Sequence, residues 1–191
     1  MVKNEELRQK ILESTITVFN KKGLKLTMSD IATEISISKK TIYKEFDSKD
    51  ELFDAMVDYI FDTIKEKENE IANDPNLGTI DRLKALLGAM PDSYQGINFQ
   101  ELHPLKEKYP EVYEKIAMRL ETGWETTIEL LEQGKKEGVI RKDADIRIIK
   151  VMLEASIEKM ISEDMLEKNN IKYVDALKEV VNILVDGIAV R

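Results

Sequence analysis

TMSDIATEISISKKTIYKEF, residues 27–46, with SKDEL following at 48–52, is the stretch from which the rest of the chain is read. Thr27-x-x-Asp30 is a box-like helix start: a hydroxyl accepts from free amides, and a carboxylate sits in the positive first turn. Ile31 and Ile35 follow at helical spacing. The chain restarts at Ser38, a good cap, and carries Lys39, Lys40, Thr41, Tyr43 and Lys44 outward, with Ile42 and Phe46 inward. Ser48-x-x-Glu51 is a full capping box that opens a third helix. The stretch therefore predicts two short helices at a sharp angle and the start of a longer one.

A short helix that turns three lysines, a threonine and a tyrosine outward from an apolar partner has the make-up of a helix-turn-helix reader. Its first residues enter the major groove, while cations, hydroxyls and capped helix ends hold phosphate. The plainer reading of the same residues is a solvated, lysine-rich face of a bundle. The order and spacing of the three caps resemble the TetR family of bacterial transcriptional regulators, whose signature runs roughly T-x-x-x-I-A-x-x-A-G-V-S-x-x-T-x-Y-x-x-F-x-x-K-x-x-L. Thr27, Ile31, Ala32, Ser38, Thr41, Tyr43, Phe46, Lys49 and Leu52 stand where that pattern asks. It is departed from in three places. Ile35-Ser36 replaces the usual Ala-Gly, so serine must manage a backbone that glycine adopts easily. Lys40 stands where glycine is common, and Glu45 where an aromatic or histidine often supports phosphate contact.

The resemblance implies an all-α protein of about nine helices. A three-helix DNA-binding domain over 1–47 would precede a helical ligand-binding and dimerisation domain over 48–191, with a connecting helix at about 48–72. It implies a regulator, most often a repressor, that leaves a palindromic double-stranded operator when a small molecule binds. In that reading Lys39, Lys40 and Thr41 face base edges, and Thr27, Ser38, Tyr43, Lys44 and Lys49 hold phosphates.

Composition agrees with a soluble helical chain: 191 residues, 42% hydrophobic and 35% charged. Without cysteine there is neither a disulfide framework nor a thiolate metal site, which suits a reducing cytoplasm. The first ten residues, MVKNEELRQK, lack the apolar core of a signal peptide, and no apolar run reaches membrane-spanning length. The net charge of -8 is unevenly placed. Residues 1–50 hold ten Lys and Arg against eight Asp and Glu, which leaves nineteen against twenty-nine for the rest. A weakly basic head on an acidic body favours one orientation of approach to DNA.

Outward from the central stretch, Leu7, Ile11, Leu12, Val18 and Phe19 predict a helix from about Glu5 to Lys22, ended by Gly23. Lys21, Lys22 and Lys25 at its exit are candidates for the DNA backbone. Beyond 72, breaks at 73–78 and 91–96 delimit a helix from about Thr79 to Met90, and His103-Pro104 interrupts a short one. A long helix is expected from Pro110 to about Glu137, with Tyr113, Ala117, Leu120, Trp124, Ile128 and Leu131 on one stripe. Two more follow, at about Asp145–Lys168 and Tyr173–Val190. Their apolar faces are broad enough to pair with a second copy, giving a homodimer through Ile149, Leu153, Ile157, Tyr173, Leu177, Val180, Val181, Leu184 and Ile188. The alternative is that these faces complete a monomer core.

Catalytic constellations are missing. His103 is the single histidine, and the carboxylates lie at charge-pair spacing on helix surfaces. No cofactor is implied and no enzyme is expected; a helical protein-interaction module, or a small-molecule enzyme, are the competing classes. Met90, Tyr94, Phe99, His103, Met118, Trp124 and Met152 have the aromatic and thioether character of an adaptable effector pocket, although a tryptophan on a helix stripe also serves a core. Gly123, which costs ~1 kcal/mol in a helix interior, marks close packing or room for that effector.

Overall fold

A computed structural model describes residues 4–90, 104–162 and 165–190. Among the described residues every regular element is helical, apart from one isolated antiparallel bridge between Ile140 and Ala189. Packing gathers the chain into two compact units. The first joins residues up to Asp62 with a later piece ending at Ile116; the second joins Thr63 onward with Ala117 onward. The boundary between the units falls inside the long helix that spans 49–72.

In the first unit α1, Glu5–Lys22, starts at Asn4, whose side chain accepts from the Leu7 amide at 3.3 Å. Acids open the helix and lysines close it, each complementing its dipole. Ile11, Leu12, Thr15, Ile16, Val18 and Phe19 are buried, and the Thr15 hydroxyl donates to the Ile11 carbonyl at 2.7 Å, so its burial leaves no orphan polar atom. A 3-10 turn, Gly23–Lys25, leads to α2, Met28–Glu34, and then α3, Lys39–Glu45. The long helix α4, Lys49–Ala72, buries Leu52, Phe53, Met56 and Val57. The same unit takes in α6, Leu105–Lys108, and the beginning of α7, Pro110–Glu121, which bury Leu105, Val112 and Ile116.

The second unit contains α5, Thr79–Leu87, and α8, Glu125–Glu137. It continues with α9, Ile146–Ser162, α10, Met165–Lys168, and α11, Tyr173–Ile188. Its core is built from Leu83, Leu86, Leu130, Leu131, Ile140, Ile149, Leu153, Met160, Leu177, Val181, Val185 and Ile188. Gly134 lets Ile140 lie against α8: a β-carbon there would come within 2.6 Å of the Ile140 side chain. The end of α11 is tied back by Arg141 N–H to the Ile188 carbonyl and Val190 N–H to the Val139 carbonyl, both at 2.9 Å.

The expected helix Pro110–Glu137 is two helices. Gly123 adopts φ +77°, ending the run begun by α7, and its carbonyl accepts from the Lys65 ammonium. Trp124 becomes the residue that precedes α8, its indole N–H donating to the Leu120 carbonyl at 2.9 Å. The break resets the helical phase, so the stripe through Tyr113, Ala117 and Ile128 does not hold: Val112, Ile116, Thr127, Leu130 and Leu131 are buried, while Ala117 and Ile128 are exposed.

Candidate nucleic-acid interface

The α2–α3 pair is held by its caps. Thr27 accepts from the Asp30 amide at 3.3 Å, and the Asp30 carboxylate accepts in return from the Thr27 amide and hydroxyl, each at 2.9 Å. Lys22 reaches the other oxygen of Asp30 at 2.6 Å, and Lys21 grips Glu34 at 2.9 Å. The Lys22 ammonium first, then the Thr27 donors, hold the Asp30 carboxyl down at about 2. Lys21 and Lys22 thus link α1 to α2, a contact that spacing within either helix does not reveal.

The turn closes as a Schellman motif. Ile37 N–H bonds to the Ala32 carbonyl at 2.9 Å and Ser36 N–H to that of Thr33 at 3.2 Å, with Ser36 at φ +55°. The sequence expectation that serine manages a glycine-like backbone is met. Ser38 then caps α3, accepting from the Thr41 amide at 3.1 Å, and its hydroxyl lies 2.9 Å from that of Thr41. Ser48 accepts from the Glu51 amide at 3.0 Å, while the Glu51 carboxylate reaches the amide of Asp47, one residue earlier than a standard box.

These caps fix the rotation of α3. Ile42, Glu45 and Phe46 are buried, and Lys39, Lys40, Tyr43 and Lys44 face solvent, Tyr43 with 48% of its surface exposed. Thr41 is half-buried at the front of the helix. Arg8 stacks its guanidinium 4.1 Å above the Phe46 ring and donates to the Glu45 carbonyl, closing the back of the helix. Burial of Glu45 takes its carboxylate off the outer face, which accounts for an acid at this position, although one of its oxygens has no hydrogen-bond partner.

Lys49 turns toward its own unit. Its ammonium donates to the Leu24 carbonyl at 3.0 Å and lies 5.0 Å from the Phe53 ring and 5.7 Å from the Tyr109 ring. These contacts hold it inside its own unit. The signal lay in Phe53 four residues on and in a tyrosine sixty residues away.

Of the expected effector residues, Tyr94, Phe99 and His103 lie outside the described residues. Met90 is half-buried, and Met118 and Met152 are exposed. Trp124 packs on the second unit's core with the Lys150 ammonium 5.9 Å from its ring. An apolar cleft of about 460 Å³ in that unit is lined instead by Met160, Met165, Leu166, Ile171, Ala176 and Val180, among others. Among the described residues no group of three or more His, Cys, Asp or Glu is placed to hold a metal ion, and no helix is long and apolar enough to cross a membrane.

The expected pairing residues pack within the protomer. Ile149, Leu153, Leu177, Val181 and Ile188 are buried in the protomer's own core, with Ile157, Tyr173, Val180 and Leu184 packed partly against it. The same helices carry a second apolar face. On α9, Val151 is 57% exposed where Leu153 is 1% exposed, and Ile148 and Met152 lie beside Val151; on α11, Ile183 is 62% exposed where Val181 is 1% exposed. Spacing shows both faces but does not say which is core.

Residues 11–56 match the profile of the family described as "Bacterial regulatory proteins, tetR family". The chain is 25% identical over 181 residues, 94% of either protein, to an uncharacterized HTH-type transcriptional regulator, YvaF, of Bacillus subtilis (strain 168). It is 28% identical over 112 residues, 58% of this chain and 54% of the relative, to IcaR, the biofilm operon icaADBC HTH-type negative transcriptional regulator of Staphylococcus aureus (strain Newman). In fold it resembles a TetR transcription regulator from Haloarcula marismortui, with a TM-score of 0.76, 16% identity, and 98% and 100% of the two chains covered.

Proposed function

We infer that this chain, a member of the TetR family of bacterial regulatory proteins, is a DNA-binding transcriptional regulator that represses from a two-fold operator and is released by a small molecule. The observation that carries the reading is the rotation of α3: three lysines and a tyrosine outward, with Ile42 and Phe46 buried beneath them. With that face in a major groove, Lys39, Lys40 and Thr41 meet base edges, and Tyr43, Lys44 and the Ser38-capped helix end meet phosphate. Thr27 acts through its cap, since its hydroxyl hydrogen is already given to Asp30. The negative regulation in the name of the Staphylococcus relative supports repression.

Residues 1–47 present the reader, and 48–191 sense and pair. Two copies join through the outer faces of α9 and α11, at Ile148, Val151, Met152 and Ile183, flanked by Ile157, Val180 and Leu184. A single reader covers little DNA; two related by a dyad match an inverted repeat. An effector held by the second part, with Trp124 among its contacts, binds one population of the dimer better than the other and draws it off the operator. No catalytic step is assigned, and the regulator acts in the cytoplasm with the DNA.

The test is retention on duplex DNA across a salt series. Wild type is expected to show a linear fall of log affinity with log salt, and the double variant Lys39→Ala/Lys40→Ala a weaker and flatter one. Retention that is independent of salt, or unchanged in the double variant, contradicts the reading.

A further inference from the structure

Lys49 stands at the start of α4 with its ammonium turned inward. It donates to the carbonyl of Leu24, which belongs to the 3-10 turn that delivers the chain to Thr27 and so sets where α2 begins. The rings of Phe53 and Tyr109 lie within cation–π range of it. Phe53 meets Tyr109 at 5.0 Å and Phe19 of α1 at 6.3 Å between ring centres. Tyr109 is itself pinned along α4. Leu105 and Val112 on either side are buried, and Lys115 bonds to Asp54 at 2.7 Å and Asp58 at 2.5 Å. Burial pulls the Lys115 ammonium down, but the two carboxylates outweigh it and hold it above its ordinary value. One cation thus ties together the α1–α2 turn, the root of α4 and a segment from much later in the chain.

We propose that Lys49 and Tyr109 form a latch that positions the α2–α3 pair for DNA, with Lys49 a positioning residue rather than a phosphate ligand. The proposal rests on the regulator reading above. Tyr109 screens the ammonium from water on one side, which strengthens its bond to the Leu24 carbonyl on the other. Removing the ring loosens the turn before Thr27, and the start of α2 with it. The phenol oxygen has no part in this, so phenylalanine serves at 109 and leucine does not.

The experiment compares wild type, Lys49→Met, Tyr109→Leu, Tyr109→Phe, the double variant K49M/Y109L and Lys44→Ala. Each is first shown by thermal melting to be folded at the assay temperature. Affinity is then measured across a salt series on a duplex that wild type has selected from random-sequence DNA. K49M and Y109L are each expected to bind about tenfold more weakly, ~1.4 kcal/mol, with the salt slope of wild type. Y109F should bind as wild type, and the double variant no worse than K49M alone, because both changes release one latch. K44A should flatten the slope by about one, as loss of a phosphate contact does. A flattened slope in K49M, an unchanged affinity in Y109L, or additive losses in the double variant overturn the latch.

Amide hydrogen exchange without DNA separates this from failure of the regulator reading. Faster exchange over Leu24–Glu34 in Y109L, restored in Y109F, supports the latch even if wild type retains no duplex. Unchanged exchange there overturns it, including when K49M does not fold.

Discussion

The reader pair and the terminal helix pair put apolar residues to opposite tests. Around α3 each inward residue has an outward polar neighbour: Ile42 beside Tyr43, Phe46 after Lys44. Along α9 and α11 apolar residues face both ways, so Leu153 is in the core while Val151, two residues earlier, is at the surface. A face can be assigned from spacing only where the other face is polar. Where both are apolar, as on α9 and α11, one packs inside the protomer and the other stays exposed.

That contrast breaks most visibly on α9. Leu153→Ala removes a fully buried side chain and is expected to cost 2–5 kcal/mol of unfolding free energy, within the range ~2–5 kcal/mol known for core leucines, read from urea denaturation. Val151→Glu on the opposite face is expected to leave protomer stability within about 0.5 kcal/mol while converting dimer to monomer in sedimentation. If V151E destabilises the protomer as L153A does, the two faces have been told apart wrongly.

Smaller effects sharpen the reader side. Ser36→Gly relieves a left-handed backbone that costs a non-glycine residue about 1–2 kcal/mol, and should raise the denaturation midpoint without changing the slope. An unchanged or lowered midpoint means that the serine side chain offsets its own strain. The smallest effect concerns pH. Asp30 is held at about 2 when folded, below its ordinary 3.8, so the unfolded chain binds more protons between those values. Its contribution is fully present above the ordinary value and is lost as pH falls toward 2. The melting temperature of Asp30→Asn should therefore fall less steeply than wild type over that acid window; parallel curves would contradict the Lys22–Asp30 tie.

Most of the reader was legible because its signals are local. Caps at Thr27, Ser38 and Ser48 act within four residues, and the strain at Ser36 follows from its place in the turn. What was not legible depends on residues far apart in sequence. Spacing does not show that Lys21 and Lys22 pair with Glu34 and Asp30, or that Lys49 meets Leu24 and Tyr109. Gly123 raises the same difficulty: a helix interior and a helix break share one apolar spacing, and only its positive φ and the Lys65 contact distinguish them.

The central claim is that α3 reads a groove, twice per assembly. Selection of duplexes from a random-sequence pool by the purified protein tests it most directly. The account predicts an enriched inverted repeat whose half-sites are separated by about one or two helical turns, with the preference altered at specific base pairs by Lys40→Ala or Thr41→Ala. Enrichment of no sequence, or of a single unrepeated site indifferent to both substitutions, would contradict it.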